Sequence, residues 1–332
     1  MSKILVVGGA GYIGSHMVRE LLDKGYDPLV FDNLSTGHDD AVPEGRLIIG
    51  DLADQTAVAS VFRNYEISAV MHFASFIQVG ESVTSPLKYY HNNVANTLNL
   101  LSAMENSGVK RFVFSSTAAV YGTPDVVPIV EDSPLKPENP YGHSKRMIEQ
   151  VLADCDTAWG LKSACLRYFN AAGAHPSGEI GERHNPESHL IPIILQVASG
   201  QREFITVNGN DYATPDGTCV RDYVHVCDLA SAHSLALAAL LNGSESMTYN
   251  LGNGTGYSIN QVIEVCRKGT GHPIPVTVGE RRAGDPAQLV ASSAKISREL
   301  GWQPQFAELE RIVESAWRFA SSRGTSVAIK KV

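Results

Sequence analysis

The sequence predicts an α/β fold, with a doubly wound parallel sheet followed by a smaller, mixed α/β C-terminal domain. Three observations lead to this fold class. Short apolar runs alternate with amphipathic segments through the first 170 residues, a glycine-rich turn joins the first run to the first amphipathic segment, and the alternation becomes patchy afterwards. Strands that alternate with helices are typical of parallel sheets covered on both faces.

The elements of the first half follow from hydrophobic periodicity. Apolar runs predict strands at residues 4–7, 27–31, 47–49, 69–73, 112–115 and 163–168. Amphipathic segments predict helices at residues 13–23, 56–64, 86–106 and 141–159. We therefore expect residues 1–170 to form the larger domain, built on the parallel sheet.

The second half has a weaker pattern. Residues 171–189 are rich in Gly, Pro, His and Glu, which indicates a long loop, and helices are predicted at 191–199, 226–241, 259–269 and 308–321. We expect residues 171–332 to form the smaller domain, with a segment near 224–241 returning to the larger one.

Composition excludes several classes of protein. The chain has 332 residues, of which 43% are hydrophobic and 19% charged, so it can bury a full core and disorder is not expected. A net charge of −8 supplies no basic surface for nucleic acid. The longest apolar run, residues 232–241, is interrupted by His233 and Ser234 and is too short to span a bilayer.

Cysteine usage indicates a reducing compartment. The five cysteines form no CxxC pair and their number is odd, so neither a disulfide framework nor a zinc knuckle is encoded, and we predict no metal site. The chain runs into strand-like residues 3–7 without a signal peptide. We therefore expect a cytoplasmic protein.

The glycine-rich turn indicates a dinucleotide cofactor. Gly8, Gly11 and Gly14 follow the first strand directly and open the first helix, where they permit a tight turn and close approach of the backbone to a pyrophosphate. Asp32 ends the second strand, where a carboxylate accepts both adenosine ribose hydroxyls and repels a 2′-phosphate. The predicted sheet is therefore of the Rossmann type, and NAD is favoured over NADP.

Tyr141 and Lys145 form a candidate acid/base pair. They are four residues apart, so on a helix their side chains share a face. Tyrosine titrates near pH ~10, and a neighbouring ammonium together with the cationic nicotinamide ring would lower that value. Thr117 ends the triplet at the close of a predicted strand, where its hydroxyl could relay a proton to Tyr141.

Longer motifs resemble one known family nearly from end to end. They lie at residues 8–16, 32–35, 80–83, 115–122, 141–145, 167–170, 173–176, 216–226 and 281–285. With these motifs the chain resembles the extended short-chain dehydrogenases/reductases, and within them the 4-epimerases of nucleotide sugars. The resemblance implies reversible inversion at C4 of UDP-glucose and UDP-galactose through a transient 4-keto sugar, with NAD recycled in place. It also implies a homodimer.

The same resemblance assigns roles to individual positions. The NAD site would be lined by Tyr12, Ile13, Asp32, Asn33, Asp51, Leu52, Phe73, Ala74, Asn92, Lys145 and Tyr168. Thr117 and Tyr141 would flank the sugar C4. The UDP moiety would be held by Asn170, His189, Leu190, Arg221, Arg282 and Asp285. Guanidinium groups suit a diphosphate because they bind phosphate oxygens as a fork.

Three positions bear on substrate range. Ile77 stands where some family members carry lysine, and Asn208 stands where an aromatic residue near uracil is common. Leu289 would line the pocket near the C2 substituent of the sugar, where a residue smaller than tyrosine admits an N-acetyl group; it could instead be a packed strand residue. Possible substrates therefore include UDP-N-acetylhexosamines.

Other functions stay open to different degrees. A nucleotide-sugar dehydratase needs an acid/base pair directly after the threonine, and Ala118 and Ala119 cannot move protons. A 4-epimerase of UDP-glucuronate or a UDP-pentose has the same motifs. A non-catalytic NAD-binding regulator shares the fold, but would not need both Tyr141 and Lys145.

Overall fold

A seven-stranded, all-parallel sheet forms the centre of the protein in the computed structural model, which describes residues 2–281 and 285–328. The strands in chain order are β1 (Lys3–Val7), β2 (Asp27–Asp32), β3 (Leu47–Ile49), β4 (Ile67–His72), β5 (Arg111–Ser115), β6 (Lys162–Tyr168), β7 (Asn170–Ala172), β8 (Ile205–Asn208), β9 (Val220–His225), β10 (Met247–Leu251), β11 (Gly256–Ser258), β12 (Val276–Gly279) and β13 (Gln288–Leu289). The central order is β10-β6-β5-β4-β1-β2-β3. Because the order reverses direction at β1, the sheet is doubly wound, which confirms the predicted Rossmann-type fold class.

Helices cover both faces of this sheet. They are α1 (Tyr12–Asp23), α2 (Gln55–Asn64), α3 (Val79–Thr84), α4 (Pro86–Tyr89), α5 (Asn96–Ser107), α6 (Pro140–Trp159), α7 (Leu190–Ala198), α8 (Val226–Leu241), α9 (Ile259–Thr270), α10 (Ala294–Leu300) and α11 (Leu309–Ala328). The alternating side chains of β1 show how the cores on the two faces of the sheet form. Ile4 and Val6 join the core under α1 and α8, whereas Leu5 and Val7 join the core under α2, α5 and α6. Successive strand residues point to opposite faces, so one apolar strand supplies both cores.

The C-terminal part has its own smaller core. β9 pairs in parallel with β7 and β13 and antiparallel with β11, and β8 pairs in parallel with β12. Helices α7, α9 and α11 pack beside these strands, and the shared core includes Ile194, Val262 and Ile312. This is the mixed α/β arrangement that the sequence predicts.

Two elements differ from the prediction. The single helix expected at 86–106 is divided, because α4 ends at Tyr89 and a π-helical segment, Tyr90–Ala95, precedes α5. The seventh strand, β10, was not predicted at all; it pairs with β6 from Met247 to Leu251. Helix α8 packs on α1, β5 and β6, so the later half of the chain contributes both a helix and a strand to the larger body.

None of the helices in the described part of the chain is long and apolar enough to cross a membrane.

Candidate active site and nucleotide-binding edge

The carboxyl ends of six central strands bring most of the predicted cofactor and catalytic residues to one edge of the sheet. Gly8 follows β1, Asp32 ends β2, Asp51 follows β3, and Phe73 follows β4. Thr117 comes two residues after β5, and Tyr168 ends β6. Ligands of open α/β sheets bind at this edge, so the topology assembles a site from residues far apart in sequence.

The glycine turn is a cradle that side chains would fill. Gly8 has φ +79°, and a Cβ there would lie 2.5 Å from the backbone nitrogen of Ala74. A Cβ on Gly14 would lie 2.1 Å from the carbonyl oxygen of Gly8. Helix α1 begins after Gly11, and within the described residues no side chain caps this end. The turn therefore fits a pyrophosphate, which backbone N–H groups at a helix N-terminus bind.

Asp32 is held beside this turn. Its carboxylate accepts the backbone N–H of Ala10 at 2.9 Å and that of Leu34 at 2.8 Å, and the residue is buried. Asn33 donates from Nδ2 to the Asp51 carboxylate at 2.8 Å. The donor and acceptor chemistry at the ends of β2 and β3 fits an adenosine moiety at this position.

The remaining predicted cofactor residues surround the same edge. The Tyr12 hydroxyl donates to the carbonyl of Gly173 at 2.6 Å, which ties the start of α1 to the loop after β7. The ring of Phe73 lies 5.1 Å from that of His233 on α8. Asn92 lies in the π-helical segment and donates to Asn93. Ile13 is partly buried against the core under α1 and α8, and Leu52 is buried in the core on the other face of the sheet.

Helix α6 positions the candidate acid/base pair. Asn139 caps it by accepting the Gly142 N–H at 2.9 Å, and Pro140 occupies its first turn. Tyr141 therefore lies at the start of the helix, and Lys145 lies one turn later on the same face. The Lys145 ammonium donates to the carbonyl of Ser115 at the end of β5, at 2.8 Å.

The pKa values of this pair are displaced in opposite directions. Burial raises the pKa of the Tyr141 phenol, and a hydrogen bond with Thr117 opposes the rise. Burial lowers the pKa of Lys145 to about 7, against the attraction of Glu149. Lys145 is thus not by itself a group that lowers the Tyr141 pKa below its ordinary value. A cationic group bound beside the phenol would oppose the rise further.

A buried polar network behind the pair was missed from the sequence. Glu149 accepts two hydrogen bonds from Arg167, at 2.9 and 2.6 Å, and one from the Ser116 hydroxyl at 2.6 Å. Arg167 also donates to the Tyr121 hydroxyl, which donates to Asn250 on β10. A carboxylate four residues after Lys145 on the same helix face is the signal that could have revealed it. The network joins α6, β6 and β10 behind the reactive side chains.

The predicted UDP residues fall into two groups. Asn170 on β7 and Arg221 on β9 lie in the mixed sheet, and Asn170 donates to the carbonyl of Asp222 at 2.9 Å. Arg221 donates to Asp285 at 2.9 Å and to the carbonyl of Pro286 at 2.9 Å. Arg282, which was assigned to the same moiety, lies outside the described residues.

The second group stands at the start of α7. His189 precedes the helix and Leu190 is its first residue. The His189 side chain does not join Arg221; instead its Nδ1 is bonded to the carboxylate of Glu182.

Leu289 connects the mixed sheet to the segment that follows Thr117. It pairs with Arg221 in the register of β13 with β9, and its side chain packs against the cluster that contains Ala118, Val120 and Tyr121. Since Ala118 is the neighbour of Thr117, Leu289 is both a packed strand residue and a neighbour of the expected sugar site. Ile77 is partly exposed, and Asn208 ends β8.

Four potential metal ligands come together in the loop before α7. They are Glu182, His184, Glu187 and His189, and one ligand atom from each lies within 4.8 Å of the others. Burial lowers the pKa of His184, but the hydrogen bonds that its imidazole donates to Glu182 and Glu187 outweigh this effect and raise the pKa to about 10. The sequence signal for this cluster is the occurrence of two Glu and two His within the eight residues 182–189.

The glycine cradle, Asp32 and the Tyr141–Lys145 pair define a nucleotide-dependent enzyme of the Rossmann type. Residues 4–252 match the family described as the NAD dependent epimerase/dehydratase family, and the chain belongs to this family. A relative from Halalkalibacterium halodurans, "UDP-glucose 4-epimerase", is 53% identical over 316 residues, 95% of each chain.

Solved structures agree in fold and extent. UDP-glucose 4-epimerase from Brucella ovis in complex with NAD is 45% identical, with a TM-score of 0.94 over 96% of this chain and 98% of that one. The enzyme of Bifidobacterium longum, in complex with NAD⁺ and UDP, is 39% identical, with a TM-score of 0.92 over 97% and 99% of the two chains.

Proposed function

We propose that this protein is an NAD-dependent enzyme that reversibly inverts C4 of UDP-glucose and UDP-galactose. The observation that carries the proposal is the meeting of Thr117, Tyr141 and Lys145 beside the glycine cradle, at one edge of the sheet. The relatives named above carry out their reaction on the same scaffold over nearly the whole chain. Fold alone would not separate this activity from others, so the side chains at the site decide it.

NAD is the proposed cofactor. Gly8 and Gly14 let the turn pack closely on Ala74 and on itself, which suits the approach of its backbone to a pyrophosphate, and the Asp32 carboxylate is placed for the ribose hydroxyls. When bound, NAD accepts a hydride from C4 and returns it to the opposite face, so that a 4-keto sugar exists between the two transfers. The protein thus needs no second substrate to restore the oxidised cofactor.

Tyr141 is the proposed base and acid. Its phenolate accepts the proton of the sugar 4-hydroxyl, with the Thr117 hydroxyl as relay, and returns that proton to O4 after the sugar has turned. Lys145 is buried, is held on the carbonyl of Ser115 and lies one helical turn after Tyr141, so it is the proposed positioning partner of that tyrosine. Charge therefore moves within the site while the net redox state of the sugar is unchanged.

The mixed sheet is the proposed UDP site. Arg221 and Asp285 are held together on one side of it, suited to diphosphate oxygens and ribose hydroxyls respectively. Asn170, Leu190 and Arg282 keep the roles predicted for them, and His189 is reconsidered below. The proposed domain division at about residue 170 places the cofactor on the larger body and UDP on the smaller.

The alternatives make different demands on the site. A dehydratase needs proton-transfer groups after Thr117, and Ala118 and Ala119 provide none. A regulator needs the cofactor cradle but no reactive tyrosine. Epimerases of UDP-glucuronate and UDP-pentoses need the same catalytic groups, so the choice of sugar is decided by experiment.

Purified protein incubated with single UDP-sugars and no added NAD tests the proposal. NMR should show UDP-glucose and UDP-galactose converting into each other until a common equilibrium mixture is reached. Acid-denatured protein should release NAD or NADH in near-stoichiometric amounts. Conversion of only UDP-glucuronate or UDP-pentoses would assign another sugar, and release of NADP or a requirement for added NAD would contradict the cofactor assignment.

A homodimer is part of the proposal. Exposed apolar side chains lie on α3, α4 and α6, which pack on one another, and on α5, which packs on the adjoining π-helical segment: Val79, Val83, Leu87, Leu98 and Met147. Exposed apolar groups of this kind mark protein interfaces. Light scattering after gel filtration should give twice the chain mass for the wild type, and Leu87→Glu should shift it to the monomer. A wild-type monomer would contradict the assignment.

We also propose a cytoplasmic location. The five cysteines are all free thiols, as a reducing compartment requires. Activity assayed in fractionated cells should be recovered with the cytosol; recovery with secreted or membrane material would contradict it.

A further inference from the structure

The cluster of Glu182, His184, Glu187 and His189 lies outside the catalytic residues and has the geometry of a metal site. The Nδ1 atom of His184 lies 3.2 Å from Glu182 Oε1 and 3.4 Å from Glu187 Oε1, and Nδ1 of His189 is in contact with Glu182 Oε1. Ligand atoms about 2.0–2.1 Å from a tetrahedral Zn²⁺ are separated from one another by roughly 3.3 Å. The two His184 separations match that distance, and one ligand atom from each of the four side chains lies within 4.8 Å of the others.

The burial and the negative charge of the two glutamates also favour a bound cation. The Glu182 and Glu187 side chains are only 5% and 4% exposed. Among the described residues, their ion pairs are with the two histidines of the cluster and with no lysine or arginine. Two buried carboxylates need compensating positive charge, which one divalent ion supplies in full while both imidazoles remain neutral ligands.

The backbone holds the ligands in place. Glu187 Oε1 accepts the N–H groups of Ser188 and His189 at 2.8 and 2.9 Å, which orients this carboxylate toward the cluster. Carboxylates that bind a metal ion usually accept hydrogen bonds of this kind from the surrounding protein.

We propose that these four side chains bind one divalent transition-metal ion, with Zn²⁺ as the best match. Imidazole nitrogens and carboxylate oxygens are both ligands that Zn²⁺ takes, and two of each would complete its tetrahedral shell. This proposal departs from the sequence-based expectation that the chain has no metal site. His189 becomes a metal ligand and leaves the set of side chains that contact UDP.

The metal would fasten the loop before α7 onto the nucleotide-binding turn. The ring of His184 packs edge-on against Tyr12, which is bonded to Gly173. Next to it, Arg183 pairs with Asp40, and its carbonyl contacts His38. One ion would therefore fix a segment that touches α1 on one side and leads directly into α7 on the other. This positioning role is independent of the proposed sugar reaction.

Metal binding is tested on the full-length, tag-free enzyme with its cofactor retained. After exhaustive dialysis against a chelator, we expect Zn²⁺ to bind at one ion per chain by calorimetry and to raise Tm. Co²⁺ should give the intense visible bands of a four-coordinate ion. His184→Ala and Glu187→Gln should each weaken Zn²⁺ binding by more than about 100-fold, because outer-shell partners alone are worth about 10–100-fold.

A matched control comes from the same segment. His175→Ala removes an imidazole that lies outside the cluster and should leave Zn²⁺ affinity unchanged. Cofactor content and circular dichroism of every variant establish that it is folded. If wild-type protein and Glu187→Gln bind Zn²⁺ alike, or if Co²⁺ retains the weak spectrum of the hydrated ion, the cluster is a hydrogen-bonded ion network and the proposal fails. If the wild-type protein binds Zn²⁺ but shows no epimerase activity, the proposed function fails and the proposed metal site stands.

Discussion

Tyr141 is the residue on which the proposed chemistry depends, because its phenol is hydrogen-bonded to Thr117 and Lys145 lies one helical turn away. Local spacing was enough to find this pair, since residues four apart must share a helix face. Their pKa values could not be predicted in the same way. Burial dominates both groups, and burial depends on how β5 and α6 pack rather than on any local pattern.

Replacing Tyr141 by phenylalanine removes the proton acceptor and keeps the ring. We expect turnover to fall by about 10²–10⁴, which is the usual effect of a positioned acid or base. The NAD content released on denaturation should match that of the wild type. Steady-state kinetics with UDP-galactose measure the effect, and turnover near the wild-type rate would show that another group moves the proton.

Leu289 is the residue expected to decide whether N-acetylated sugars enter. Leu289→Tyr adds bulk beside Ala118 and should depress turnover of UDP-N-acetylglucosamine more than that of UDP-glucose, because steric exclusion acts on the larger substrate. Leu289→Met conserves volume and should leave both rates within about twofold of the wild type. Product analysis by NMR measures both. The idea fails if wild-type enzyme that fully equilibrates UDP-galactose leaves UDP-N-acetylglucosamine unchanged.

At the scale of elements, sequence reasoning worked best where strand, turn and helix are consecutive. The glycine cradle and Asp32 belong to β1, α1 and β2, whose pairing partners are near in the chain. Strand β10 was missed because its partner is remote: Met247 pairs with Ala164, more than 80 residues earlier, and five residues that alternate between apolar and polar do not indicate which strand they join. The π-helical segment was missed because a single π turn inside a longer helical run has no sequence pattern of its own.

The glycine turn provides a matched pair of substitutions. Gly8 and Gly25 have nearly the same left-handed backbone, φ +79° and +78°, but a Cβ meets Ala74 at the first and nothing within 4 Å at the second. Both changes to alanine should cost about 1–2 kcal/mol of stability for the strained backbone. Only Gly8→Ala should also lose NAD. Its NAD affinity should fall about tenfold for each ~1.4 kcal/mol by which the substitution weakens the free energy of binding. Absorbance of cofactor released from equal amounts of protein measures this, and equal NAD content in the two variants would show that the cradle tolerates a side chain.

At the scale of the whole molecule, buried histidines make the protein sensitive to acid. Burial lowers the pKa of His16 and His233 to about 4 and that of His72 and His225 to about 3. In the unfolded chain these groups take up protons near pH ~6.5. The unfolded state thus binds more protons between pH ~6.5 and ~4, and stability decreases as the pH falls through that window.

Urea unfolding at pH 7 and pH 5 measures this dependence. We expect a lower midpoint at pH 5, with a loss of up to about 1.4 kcal/mol per pH unit for each histidine that stays neutral in the folded protein. His72→Gln should reduce the difference between the two midpoints, and the exposed control His91→Gln should not. Equal midpoints for the wild type at both pH values would mean that the buried imidazoles are protonated in the folded state.

The position of β10 bears on the order in which a growing chain can fold. β6 is the outermost strand of the sheet until residues 247–251 have been made, and α8, which covers the same region, ends only at Leu241. During synthesis β6 would therefore remain an edge strand with unpaired N–H and C=O groups, and such edges can pair with other chains. We expect a truncated product that ends near residue 170 to aggregate, and we expect the nascent protein to be most in need of chaperones until its last central strand emerges from the ribosome.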